Sequence, residues 1–311
     1  MGQNARQIRQ NSLEGKGLAP FPRRSSVEGG EEAFCDSFTS THEMPRLAKQ
    51  TILVGSGKGG VGKSTVSLNL AVALSLLGLE VGLLDADLYG PSLPLMAGLR
   101  EMSPPVTLGK EGEEILLPFS KFGVKLLSIG FFLEEARSVL WRGPMLHGML
   151  QKMTHGVEWG QLDVALVDLP PGTGDVPLSL SKLIQIDGAV VVTTPQSAAL
   201  VDVIKAIHSF DQLEIPLLGI VENMAGFRAP ETGQVYSLFG KEGGKKLAGQ
   251  LQLPLLGSVP ILEEICEGGE EGLPAAFHSR NREAEQLFRS MGETLREIIH
   301  GKSPICTTKR D

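Results

Sequence analysis

The sequence predicts an α/β protein with an open, mostly parallel β-sheet and helices on both faces. Three observations lead there. From Thr51 onward, short runs of Val, Leu and Ile alternate with segments of helical periodicity, the order of a parallel sheet built from strand–helix units. The runs show little apolar–polar alternation, as strands covered on both faces do. The first run, Thr51-Ile52-Leu53-Val54-Gly55, leads into Gly57-Lys58-Gly59-Gly60-Val61-Gly62-Lys63-Ser64-Thr65, a glycine-rich turn between a buried strand and a helix.

The elements follow in order. Residues 1–48 are rich in Gln, Ser, Gly, Arg and Glu and lack apolar periodicity, so they are expected to form a disordered or loosely attached tail. Strands are predicted at Ile52–Gly55, Val81–Asp85, Val124–Ile129, Val164–Asp168, Ala189–Thr194, Leu217–Glu222 and Leu255–Val259. Helices are predicted near 63–78, 142–155, 176–185, 198–212 and 240–251. Between about 100 and 120, Pro104, Pro105, Gly109, Gly112 and mixed charge predict an irregular excursion. From Glu283 to Ile299, Leu287, Phe288, Met291, Leu295 and Ile298 recur at helical spacing. The polar positions there include Glu283, Glu285, Glu293 and Glu297, which disfavours anionic lipid and predicts core packing. The expected organisation is a tail over 1–48, one domain over 49–300 and a C-terminal tail over 301–311.

Composition narrows the function classes. A length of 311 residues, 41% hydrophobic and 21% charged, suits one large soluble α/β domain or two small ones. A net charge of −7 argues against a broad basic surface, so nucleic acid is not an expected partner. No run approaches a membrane span, and no membrane partner is expected. Arg6, Arg9, Arg23 and Arg24 are interleaved with Glu14, Glu28, Glu31 and Glu32, unlike a transit peptide, which is poor in acids. Cys35, Cys266 and Cys306 are few, odd in number and far apart, which fits no disulfide framework. A cytoplasmic location is expected. Cys266 falls in a predicted helix of the core and is expected to be buried.

The chemistry concentrates at strand ends, where open parallel sheets bind ligands. Glycines let the loop backbone approach a polyphosphate, and its amides converge on anionic oxygens at a helix N-terminus. Lys63 supplies a positive charge for the β- and γ-phosphates, and the Ser64 hydroxyl can hold Mg²⁺. The strand from Val81 ends in Asp85-Ala86-Asp87-Leu88-Tyr89-Gly90-Pro91-Ser92. Two carboxylates two residues apart suit a metal-linked water and the orientation of an attacking water. The strand from Val164 ends in Asp168-Leu169-Pro170-Pro171-Gly172-Thr173-Gly174-Asp175, where the Asp is the expected second support for Mg²⁺, through water. Lys58 comes too early for the phosphate cradle. It is either a solvated lysine or one that extends toward a partner subunit's nucleotide.

The early lysine makes this loop resemble the deviant Walker A motif of MinD/ParA-type ATPases. With Trp141-Arg142-Gly143-Pro144-Met145, Trp159-Gly160-Gln161-Leu162-Asp163, Thr194-Pro195-Gln196 and Glu222-Asn223-Met224, the chain resembles the Mrp/NBP35 family of iron–sulfur cluster carrier ATPases from about Thr51 to His300. The resemblance implies a MinD-like P-loop NTPase fold and a homodimer that sandwiches two ATP molecules with Mg²⁺. Lys58 would then reach the other subunit's ATP, and Lys63, Ser64 and Thr65 would bind phosphates and Mg²⁺. Asp87 would position the hydrolytic water, and Asp85 and Asp168 would support the metal, Asp168 through water. Asn223 would contact the adenine, and the loop around Pro260 would close over it.

The resemblance also implies a [4Fe–4S] cluster bridged between subunits by a Cys-x-x-Cys pair from each, handed on to iron–sulfur apoproteins. The aligned segment here is Phe227-Arg228-Ala229-Pro230-Glu231-Thr232-Gly233. Ala229 and Thr232 stand where thiolates belong, and clusters are held by Cys thiolates. The expected function is therefore that of a dimeric ATPase of iron–sulfur assembly without the usual ligand set. The alternatives are a MinD- or ParA-like nucleotide-gated spatial organiser and a nucleotide-switched scaffold with another cargo.

Overall fold

A computed structural model describes residues 44–132, 143–229, 231–280 and 282–301. The chain enters the sheet with β1 (Gln50–Ser56) and turns through the glycine loop into α1 (Lys63–Leu76). Next come β2 (Val81–Asp85), a short helix α2 (Leu93–Met96), β3 (Val106–Leu108), β4 (Glu114–Leu116), β5 (Phe119–Lys121) and β6 (Val124–Ser128). Strand–helix alternation continues through α3 (Gly143–His155), β7 (Val164–Asp168), α4 (Asp175–Leu183), β8 (Gly188–Thr193), α5 (Ser197–Gln212) and β9 (Leu217–Arg228). Then follow β10 (Val235–Tyr236), α6 (Gly243–Gln250), β11 (Leu255–Ile261), α7 (Glu263–Glu271) and α8 (Glu283–Ile299).

Among the described residues, nine strands form one sheet in the order β10-β9-β8-β1-β7-β2-β6-β5, with β11 also on β9. The pairings are parallel except β5 with β6 and β10 with β9. β1 is central, flanked by β7 and β8. Across β2 and β7 the register sets Asp85 beside Asp168, and across β1 and β7 it sets Val54 beside Asp168. The carboxyl ends of three adjacent strands therefore meet.

Both faces of the sheet are covered. Leu53, Leu84, Val167 and Val191 pack with Leu150, Leu180, Val203, Phe210 and Leu247, which brings α3, α4, α5 and α6 onto one face. Ile52, Val54, Leu83, Leu166 and Val190 pack with Val66, Leu70, Phe288 and Leu295, which brings α1 and α8 onto the other. Successive strand residues point to opposite faces; with apolar layers on both sides, the sequence loses its alternation. The apolar stripe of α8 lies in the core, with Phe288, Met291, Leu295 and Ile298 buried. No helix among the described residues is long and apolar enough to cross a membrane.

Several boundaries differ from expectation. The excursion predicted to be irregular contains a hairpin, in which Val106 pairs Leu116 and Leu108 pairs Glu114. Its strands have only three residues each, too short for a periodic signal against the flanking prolines and glycines. The strand predicted to reach Ile129 stops at Ser128, because Ile129–Phe132 turns into a 3-10 helix. β9 runs six residues past Glu222, to Arg228, where β10 pairs with it. Residues assigned to the tail also join the body: Leu47 and Ala48 are buried, Gln185 donates to the Pro45 carbonyl at 2.9 Å, and Arg46 pairs with Asp187 at 3.3 Å. The rest of that tail, Trp141, Arg142, Pro230, Cys35, Cys306 and nearly all of the C-terminal tail lie outside the described residues.

Candidate functional site

The glycine loop leaves β1, the Asp85–Asp87 pair leaves β2 and Asp168 ends β7, so all three reach one cleft. Gly60 and Gly62 adopt the left-handed region, with φ of +78° and +79°, where residues with a Cβ are strained. The Val66 amide donates to the Gly62 carbonyl at 3.0 Å, which starts α1 directly from the loop. No side chain caps α1, and no acid stands in its first turn. Its orphan amides and the positive end of its dipole remain available to an anion. The cleft, of about 430 Å³, is lined by the loop from Lys58 to Thr65 together with Asp87, Tyr89 and Pro171.

Lys63 and the acids form a buried network. The Lys63 ammonium lies 2.8 Å from Asp168 Oδ2 and 3.5 Å from Asp87 Oδ2. Ser64 Oγ donates to Asp168 Oδ2 at 2.5 Å, and Ser67 Oγ donates to Asp168 Oδ1 at 2.6 Å. Asp87 Oδ1 accepts from the Tyr89 and Gly90 amides at 3.2 and 3.3 Å. Asp85 sits beneath the cleft, wholly buried. Its Oδ1 accepts from the Asp87 amide at 3.0 Å and its Oδ2 from Ser128 Oγ at 2.8 Å. Burial first, then the Asp168 charge, pushes the Asp85 carboxyl up to about 7; hydrogen bonds from Asp87 and Ser128 and the Lys63 charge oppose the rise.

The Asp87 and Asp168 carboxyl groups flank one ammonium, and their oxygens, with the Ser64 hydroxyl, are hard donors that fit Mg²⁺. Asp85, expected to support the metal, is instead buried beneath the cleft with both oxygens engaged by Asp87 and Ser128. Among the described residues, no group of three or more His, Cys, Asp and Glu side chains forms a ready metal cage. Mg²⁺ shared with phosphates and waters requires none. The glycine cradle and the uncapped helix likewise fit a polyphosphate.

The remaining expected site residues are distributed around this centre. The Lys58 ammonium donates to Gln196 Oε1 at 3.1 Å, within its own subunit. Asn223 Nδ2 donates to the Val61 carbonyl at 2.8 Å. Pro260, expected in a loop, lies instead within β11, next to Val259, the register partner of Asn223, and lines a separate cavity of about 280 Å³. Arg228 and Glu283, which also line that cavity, form an ion pair at 3.6 Å.

Positions 229 and 232, where the resemblance implies thiolates, carry Ala and Thr. Ala229 and Thr232 sit in the turn between β9 and β10, closed by bonds from the Ala229 amide to Gln234 and from the Gly233 amide to Ala229, at 2.9 and 2.8 Å. Cys266, expected to be buried, is exposed. Ile265 takes the position of α7 that packs on the core, and the next residue rotates about 100° away from it, toward solvent. Neither position 229 nor position 232 supplies a thiolate, the group that holds a [4Fe–4S] cluster.

Four functional neighbours escaped the sequence reading. Ser67 lies one turn after Ser64, a spacing that could have revealed it. Ser128 becomes visible only once β6 is paired in register with Asp85. Gln196 stood within a quoted motif but had no role. Glu222, buried, accepts from the Gly244 amide at 2.6 Å and from Ser258 Oγ at 3.3 Å, locking β9 to α6 and β11.

Residues 47–296 match the family described as ParA: NUBPL iron-transfer P-loop NTPase. An iron–sulfur cluster carrier protein of Aquifex aeolicus is 47% identical over 82% of this chain and 69% of its own. An Arabidopsis thaliana relative, named as a mitochondrial iron–sulfur protein required for NADH dehydrogenase, is 38% identical over 93% of this chain and 89% of its own. Among solved structures, a nucleotide-binding protein of Archaeoglobus fulgidus in complex with ADP superposes with a TM-score of 0.63. It is 38% identical and covers 73% of this chain and 87% of its own.

Proposed function

Since the chain belongs to the NUBPL iron-transfer family of ParA-type P-loop NTPases, we propose that it is a dimeric, Mg²⁺-dependent ATPase that serves iron–sulfur cluster assembly. The observation that carries this reading is the cluster of Lys63, Ser64 and Asp168 at the end of the glycine cradle, with Lys63 2.8 Å from Asp168. Lys63 lies against the Asp168 and Asp87 carboxylates; a bound triphosphate offers it a competing set of oxygens.

In this reading the loop amides and Lys63 bind the β- and γ-phosphates and neutralise the charge that moves to the leaving oxygen. Ser64 would hold Mg²⁺ directly and Asp168 through water, and the bound ion would add Lewis-acid charge neutralisation. Asp87, at the cleft wall, orients a water for in-line attack on the γ-phosphorus. The bond from the γ-phosphorus to the bridging oxygen breaks, giving ADP and phosphate. Asp85 acts from beneath by holding the Asp87 amide. Lys58 leaves Gln196 and reaches the nucleotide of a partner subunit.

The iron–sulfur cluster enters as cargo of the assembly process and is not assigned a seat on this chain. Ala229 and Thr232 offer no thiolate, so no transfer step is derived through them. Steady-state ATP turnover tests the reading. Wild type is expected to hydrolyse ATP only with Mg²⁺, and Asp87→Ala and Lys58→Ala are each expected to lose at least tenfold in turnover. Turnover equal to wild type in both variants would remove the assigned roles.

A further inference from the structure

We propose that Asn223 is a positioning residue for the phosphate loop, whose side-chain amide holds the loop in its phosphate-accepting shape before any nucleotide arrives. This deepens the nucleotide-site reading, on which it rests, and goes past the adenine contact implied for this residue.

A loop that binds an anion through its amides must turn its carbonyls elsewhere, and a buried carbonyl needs a donor. Val61 is the loop residue whose side chain is anchored in the core. Its carbonyl accepts from Asn223 Nδ2 at 2.8 Å. The Val61–Gly62 peptide is planar and trans, so fixing that carbonyl also fixes the Gly62 amide, which points the opposite way. Gly60 and Gly62, on either side of Val61, both have positive φ, and this freedom would let an unanchored loop sample other shapes. A Cβ added at Gly62 would lie 2.2 Å from Asn223 Nδ2, so glycine at 62 is what admits the amide to this position. The anchor is itself held: Asn223 pairs in register with Val259, and the preceding Glu222 is bonded to Gly244 and Ser258.

Inorganic tripolyphosphate, which has neither base nor ribose, separates loop positioning from base reading. Asn223→Ala and Asn223→Leu are compared with wild type for binding of Mg²⁺-tripolyphosphate and Mg²⁺-ATP, with the melting temperature of each free protein recorded. In folded variants both ligands are expected to weaken by about three- to tenfold, the size of one net buried hydrogen bond. A loss confined to ATP, with tripolyphosphate binding unchanged, would overturn the proposal. A second measurement requires neither variant nor ligand. The Asn223 side-chain amide protons of the free wild type are expected to exchange slowly with solvent by NMR, and exchange at the rate of an exposed amide would overturn it. Should wild type bind neither ATP nor tripolyphosphate, the nucleotide reading falls, and the exchange rate still decides the placement of Asn223.

Discussion

Asp85 and Asp87 are two residues apart in sequence yet meet different physics. Asp87 opens on the cleft, whereas Asp85 is sealed beneath it and its carboxyl is pushed up to about 7. In the unfolded chain Asp85 loses its proton near 3.8; in the fold it keeps it until about 7. Between those values the unfolded state binds fewer protons, so this group makes the free protein less stable as pH rises. Asp85→Asn cannot ionise. Thermal melts of nucleotide-free protein across that window should show wild type losing stability relative to Asp85→Asn as pH rises, by a few kcal/mol. A constant difference would mean that Asp85 ionises normally. The sequence made the site carboxylates legible, because an Asp after an apolar strand stands out. It did not make their depth legible, which depends on Ser128 and Asp168 arriving from strands 43 and 83 residues away in number.

At the scale of elements, long periodic segments are readable and short ones are not. The helix over Glu283–Ile299 follows from its apolar spacing, and its stripe is buried as that spacing predicts. Phe288 is fully buried within the layer formed with α1. Phe288→Ala is therefore expected to destabilise the fold by about 3–5 kcal/mol, measured by denaturant unfolding. A change below about 1 kcal/mol would mean that α8 is only loosely attached. The β3–β4 hairpin was missed because three-residue strands carry too little pattern. Residue type alone does not set orientation: on α7 it is Ile265 that faces the core, and Cys266 is exposed. The boundary at residue 48 was drawn too late, since Leu47 and Ala48 anchor the approach to β1.

For the molecule as a whole, the sheet brings three strand ends together and so assembles a nucleotide site from segments more than 100 residues apart. The parallel sheet and the phosphate loop were legible because both come from local patterns. The pairing of Lys58 with Gln196, and of Asn223 with the loop, were not, because they depend on tertiary packing. The residues at positions 229 and 232 bear on the proposed cargo rather than on the proposed nucleotide chemistry. Anaerobic reconstitution with iron and sulfide is expected to leave the purified protein without stoichiometric cluster, read by absorbance and metal counting. Stable uptake would show that ligands other than positions 229 and 232 suffice.

In the proposed reading, Mg²⁺ and ATP bind together in the cradle ahead of Lys63. Titration of the wild-type protein with labelled ATP tests it most directly, with and without Mg²⁺, alongside Lys63→Ala. The account predicts saturable, magnesium-dependent binding that Lys63→Ala abolishes or weakens by at least tenfold. Binding that does not saturate, ignores magnesium or survives Lys63→Ala unchanged would contradict it.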